Sequence, residues 1–168
     1  MFRKTVCFAV SFLLLAGLAA CGSQNTSGAL SGSAAPSFES AEGTQVKMTA
    51  GDVEVWITLN GSQAAAEFAQ MLPLELTLIE RNSFAKGMTL PTPLSTVEDT
   101  TREYEIGDFG YWAAGPDLAI FYDDIYEQTI VPVIPLGKAS EGAEAMRDTS
   151  GTVTLELMPE KDAARPGE

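Results

Sequence analysis

Gly107-Asp108-Phe109-Gly110-Tyr111-Trp112-Ala113-Ala114-Gly115-Pro116-Asp117-Leu118-Ala119-Ile120-Phe121-Tyr122 is the stretch that decides the fold of this 168-residue chain. It holds two short apolar runs with Gly115-Pro116-Asp117 between them. Proline presets the φ of a turn, and glycine and aspartate suit its other positions, so the runs read as adjoining strands joined by a tight turn. Successive side chains of a strand point to opposite faces. Phe109 and Tyr111 therefore share one face with Trp112 on the other, and Phe121 opposes Tyr122.

The flanking segments follow the same logic. Val53, Val55, Ile57 and Leu59 fall on one face at period two, and residues 46–49 precede them across Ala50-Gly51-Asp52, which predicts a hairpin. Ser62 is placed to cap a helix, with Ala65, Phe68, Ala69 and Leu72 at helical spacing before Pro73. Leu74, Leu76 and Leu78 alternate with polar residues as a half-buried strand over 74–80. Residues 84–90 predict another strand, stopped by Pro91 and Pro93, and a polar loop runs on to Arg102. Residues 131–136 read as a strand at an edge or a bulge, because Pro132 and Pro135 cannot donate to a ladder. A short helix over 141–147 and a last strand over 153–157 complete the pattern. The expectation is a mainly β fold, a small closed barrel of about eight strands with two short helices.

The N-terminus has a different character. Met-Phe-Arg-Lys is a short positive region, and residues 6–18 are apolar apart from Cys7 and Ser11. That run is shorter than the roughly 20 residues a spanning helix needs, so it reads as an export leader over 1–20. Leu18-Ala19-Ala20-Cys21 resembles the bacterial lipobox, in which the cysteine is acylated and becomes the new N-terminus. With Cys7 discarded, Cys21 has no disulfide partner in the mature chain. Residues 21–45, rich in Ser, Gly, Ala and Thr, then predict a flexible tether, 46–158 the folded domain and 159–168 a polar tail. The resulting expectation is a membrane-held domain facing the extracytoplasmic side.

Charge and composition exclude several classes of function. The net charge of −13 becomes −15 when Arg3 and Lys4 leave with the leader, and the remaining Lys and Arg are scattered among acids. Nucleic-acid binding needs clustered cations. The absence of histidine rules out Ser-His-Asp and Cys-His catalysis, and leaves no ligand set for zinc. Asp123-Asp124 and Glu98-Asp99 lack the spacing that wraps oxygen ligands round calcium. No phosphate loop occurs, and no cofactor is expected.

The Val-x-Val-x-Ile-x-Leu-Asn strand, residues 62–74, the Gly107 to Trp112 and Leu118 to Tyr122 runs, and Pro135-Leu136-Gly137-Lys138 together resemble the cyclophilin-like fold family of small bacterial proteins, distinct from the prolyl-isomerase cyclophilins. The resemblance implies an eight-stranded barrel with helices closing its ends. It also implies a role not generally assigned, and in some members a link to flavodoxin-like domains, which suggests such a protein as a partner. The isomerase cyclophilins carry a Phe-His-Arg segment that is missing here. Arg81 is the candidate catalytic donor by its place in the chain order, and its alternative reading is a strand-end arginine paired with Glu80. Phe84, Tyr111, Trp112, Phe121 and Tyr122 are the candidate ligand-binding residues, those on the outer face lining a groove for an extended peptide or an apolar ligand and the others forming core. A binding module is the expected function, and a divergent peptidyl-prolyl isomerase is the alternative. Arg81 in a pocket walled by Phe84 and Tyr111 or Trp112 favours the isomerase, and Arg81 in solvent disfavours it.

Overall fold

In the computed structural model, which describes residues 39–159, the first hairpin forms as its alternation requires. β1 (Gln45–Ala50) and β2 (Val53–Leu59) pair antiparallel with Val46 opposite Ile57 and Met48 opposite Val55. All four of these side chains are buried. Gly51, at φ +61°, makes the reversal between them. The packed chain begins ahead of Val46, since Ala41 is buried and Gly43 donates its N–H to Leu59. The leader, Cys21 and most of the tether and tail lie outside the described residues.

Ser62 accepts a hydrogen bond from the Ala65 N–H and starts α1 (Gln63–Met71), which ends before Pro73. Ala64, Ala65, Ala66 and Phe68 are buried, and the Phe68 ring packs 5.4 Å from that of Phe109. A 3-10 helix (Ala143–Asp148) stands near the expected second helix and sends Met146 into the same core.

The remaining strands are β3 (Leu74–Thr77), β4 (Ile79–Arg81), β5 (Ala85–Thr89), β6 (Asp108–Trp112), β7 (Asp117–Phe121), β8 (Ile134–Ala139) and β9 (Thr152–Leu157). They form one sheet in the order β3-β9-β1-β2-β8-β6-β7-β5-β4, with every pairing antiparallel. The two terminal strands of that order are consecutive in the chain, separated by Leu78 alone. The segment from Leu74 to Arg81 thus pairs with β9 through its first half and with β5 through its second, bringing the sheet round into a nearly closed barrel. The nine strands among the described residues correspond to the eight expected, with one broken at the seam. This corrects the reading of 74–80 as a single strand, because the partner changes at Leu78: its N–H still donates to Gly151, just ahead of β9, while Ile79 pairs with Gly87 of β5.

The second correction concerns β8. It runs later than residues 131–136 and sits between β2 and β6 rather than at an edge. Pro135 is accommodated by the bulge alternative, for the β6–β8 register shifts between Phe109 and Gly110. Gly137 lets β8 approach β2, where a Cβ would lie 2.3 Å from the Thr58 carbonyl oxygen.

Candidate functional site

β6 and β7 are largely buried on both faces. Phe109, Tyr111, Leu118 and Ile120 point into the barrel, joined there by Tyr122 from just beyond β7. Phe84, Ala85, Ala119, Phe121 and Val133 form a second buried cluster outside it, against which Tyr104 and Trp112 pack. Its rings lie close, Phe84 at 5.5 Å and Tyr104 at 4.7 Å from Phe121, with Trp112 edge-on at 6.2 Å. Two loop segments cover this outer layer and are tied to each other by the backbone bridge between Thr101 and Val133. Val133 can lie over the sheet because Gly110 has no side chain; a Cβ there would be 2.2 Å from Val133 Cγ1.

At one margin the cover is loose, and an open cleft of about 380 Å³ remains. Phe84, Trp112, Ile130 and Val131 supply its apolar walls, and Arg81 and Asp117 its polar end. Ile130 is 77% exposed at the lip. Asp117 opens β7 directly opposite Thr89 of β5 and Trp112 of β6. Its Oδ2 accepts from Arg81 Nη2 at 2.5 Å and its Oδ1 from the Thr89 hydroxyl at 2.5 Å. The guanidinium carbon lies 6.0 Å from the centre of the Trp112 ring, within cation–π range. Arg81 reaches this position by crossing Gly87, whose missing side chain leaves room for it. Arg81 Nε and Trp112 Nε1 are shielded from solvent and have no acceptor among the described residues.

The sequence pattern of the cyclophilin-like family matches residues 48–158. The chain belongs to the cyclophilin-like family. Among solved structures, it resembles the solution structure of a hypothetical protein from Archaeoglobus fulgidus with a TM-score of 0.59 and 16% identity, over 71% of this chain and 98% of that one. It also resembles McbB, solved in complex with tryptophan, with a TM-score of 0.55 and 15% identity, over 74% of this chain and 45% of that one. These likenesses concern the fold. No curated protein matches the chain.

Within this cyclophilin-like barrel the candidate residues separate into two groups. Arg81, Phe84 and Trp112 come together at the cleft, with Phe121 packed against Phe84 and Trp112. Tyr111 and Tyr122 do not line it. The Tyr111 hydroxyl accepts from the Leu94 N–H inside the core, and the Tyr122 hydroxyl donates to Glu80 at 2.7 Å. Glu80 also takes Lys86 at 2.7 Å, so the expected Glu80–Arg81 pair is replaced by two separate pairs on opposite sides of β4. Burial pushes the Tyr122 phenol up to about 12, and the bond to Glu80 and its charge add to this. Burial works to raise Glu80 as well, but its bonds from Lys86 and Tyr122 outweigh it and hold the carboxyl below its ordinary value.

Asp117, Thr89, Gly87, Ile130 and Val131 are site residues the sequence did not mark. Asp117 stood in a turn motif, and its register opposite Trp112 across the tight turn is the one local signal that could have exposed it.

Proposed function

We propose that this cyclophilin-like domain is a binding module that takes an apolar group of a peptide, protein partner or small molecule into the Arg81–Trp112 cleft. The observation that carries this reading is the cleft itself. Apolar walls converge on a few polar groups held in place by packing, which is the usual composition of a ligand site. Trp112 and Phe84 offer rigid contact area, and Phe121 and Tyr104 fix their support. The lipobox-like Leu18 to Cys21 supports the further reading that the module is held by acyl chains on the outer face of a membrane.

The test is an NMR titration of the full chain with blocked apolar peptides, following the Trp112 indole N–H, assigned through a Trp112→Phe variant. Saturable shifts of that signal, lost in Arg81→Ala, are expected. Unmoved signals across the panel would dispose of the binding module. A flavodoxin-like protein, the partner suggested by the family resemblance, can be titrated in the same way.

A second reading, a divergent peptidyl-prolyl isomerase, is favoured by one observation. Arg81 stands beside apolar walls formed by Phe84 and Trp112, where a donor could stabilise a twisting amide against a barrier of about 18–20 kcal/mol. Exchange spectroscopy on X-Pro peptides decides it: acceleration that disappears in Arg81→Ala establishes the enzyme, and none across the panel excludes it.

A further inference from the structure

We infer that the cleft selects an uncharged carbonyl acceptor on an apolar body, such as an amide within a peptide chain, and discriminates against a carboxylate. The inference rests on the binding reading above and specifies its ligand. An arginine at the end of an apolar pocket would ordinarily suggest a receptor for anions, since guanidinium pairs well with carboxylate and phosphate. Here that charge is already answered. Asp117 Oδ2 lies 2.5 Å from Arg81 Nη2, and the Asp117 side chain is only 12% exposed against 32% for Arg81. Thr89 occupies the other carboxylate oxygen, so the aspartate is held in its pairing position.

A carboxylate entering the cleft would have to displace Asp117 from Arg81 or lie beside it as a like charge. The chain's net charge of −13 adds a repulsive background in either case. The unmet hydrogen-bonding capacity at the polar end is also one-sided. Both oxygens of Asp117 are engaged, whereas the partly exposed guanidinium of Arg81 has N–H groups beyond the one given to Asp117. A ligand oxygen presented to this end gains a charge-assisted hydrogen bond from the guanidinium. A neutral carbonyl does so without bringing a second negative charge next to Asp117. The volume of about 380 Å³ suits one large apolar side chain with its flanking amide groups.

The test compares N-acetyl-phenylalanine amide with N-acetyl-phenylalanine, the free acid, at neutral pH on the full chain, by titration of the Trp112 indole signal. The amide is expected to bind at least tenfold more tightly. In Asp117→Asn, which frees the guanidinium, the acid should gain at least tenfold relative to the amide. Equal or tighter binding of the acid to the unmodified chain would overturn the inference while leaving the binding module intact. An unchanged ratio in a folded Asp117→Asn would overturn it as well. If that variant does not fold, the comparison on the unmodified chain decides alone, and failure of both probes to bind there removes the binding reading and this inference together.

Discussion

Replacing Gly87 with alanine separates the cleft from the stability of the barrel. A Cβ at residue 87 would stand 2.7 Å from Arg81 Nε, 3.1 Å from its Cγ and 3.5 Å from its Cδ. Non-bonded carbon contacts are comfortable from roughly 3.5 Å, so the guanidinium end has to withdraw by about 0.8 Å. It belongs to a long flexible side chain and can do so. The Arg81–Asp117 bond, now 2.5 Å, lengthens with that withdrawal and loses its alignment. The pair is partly solvated, so weakening it costs about 1 kcal/mol or less. Gly87 is not among the residues of positive φ, and alanine at such a position recovers about 0.4–1 kcal/mol by restricting the unfolded chain. These terms nearly cancel, and the melting temperature should move by no more than a few degrees. The cleft, by contrast, loses the placement of its polar end, and affinity for N-acetyl-phenylalanine amide should fall about tenfold, equivalent to about 1.4 kcal/mol. Thermal unfolding followed by circular dichroism, together with the Trp112 titration, measures both quantities. Unchanged affinity would refute the role given to Arg81. A loss of several kcal/mol in stability would refute the claim that Arg81 alone has to yield.

Four further outcomes are expected. Gly137→Ala should destabilise the barrel by about 3 kcal/mol, since its Cβ would meet the Thr58 carbonyl oxygen at 2.3 Å and the Leu59 Cα at 3.0 Å, which are backbone and have little freedom to retreat; a loss below about 1 kcal/mol in urea unfolding would contradict this. Tyr122 is raised to about 12 in the folded chain, so the stability tied to its neutral form is complete below its unfolded value of about 10 and is lost as pH rises towards 12. Stability should therefore decline through that alkaline window by an amount of order 2 kcal/mol, and Tyr122→Phe should flatten the decline. Glu80 behaves in the opposite sense: held low when folded, it contributes stability above its unfolded value that disappears as pH falls through the folded one. Finally, Cys21→Ser should move the full chain from the membrane to the soluble fraction and abolish incorporation of labelled palmitate, and a variant still sedimenting with membranes would argue against acyl anchoring.

The parts of the fold legible in the sequence are those whose partners lie close by. β1 with β2 and β6 with β7 are contiguous hairpins, and in each the alternation and the turn residues sit within one short window. The seam at Leu78 has no such signal. Leucines continue to alternate through it, while the hydrogen-bond partner changes from β9 to β5, strands nearly seventy residues apart in the chain. Pro132 and Pro135 did announce an irregular strand. Where β8 begins depends on the bulge opposite Phe109 and Gly110, and this belongs to a different segment.

The site divides along the same line. Alternation correctly separated Trp112 from Phe109 and Tyr111, and Phe121 from Tyr122, but it assigns residues to two faces without saying which faces inward. The ambiguity is physical, because every residue of β7 is buried, and with both sides covered the strand-end Asp117 beside the turn is its one polar residue. Residue size offers a better guide than polarity. Gly87, Gly110, Ala85 and Ala119 lie on the outer face, where an arginine side chain and the covering loops must approach the sheet, whereas the inner face carries Met88, Phe109, Leu118 and Ile120. Small residues alternating with large ones along β5, β6 and β7 therefore mark a surface made to be overlaid. The cleft opens where that overlay ends: Val133 is fitted against Gly110, Ile130 is left at the lip, and between them and Arg81 the wall of Trp112 stays partly exposed.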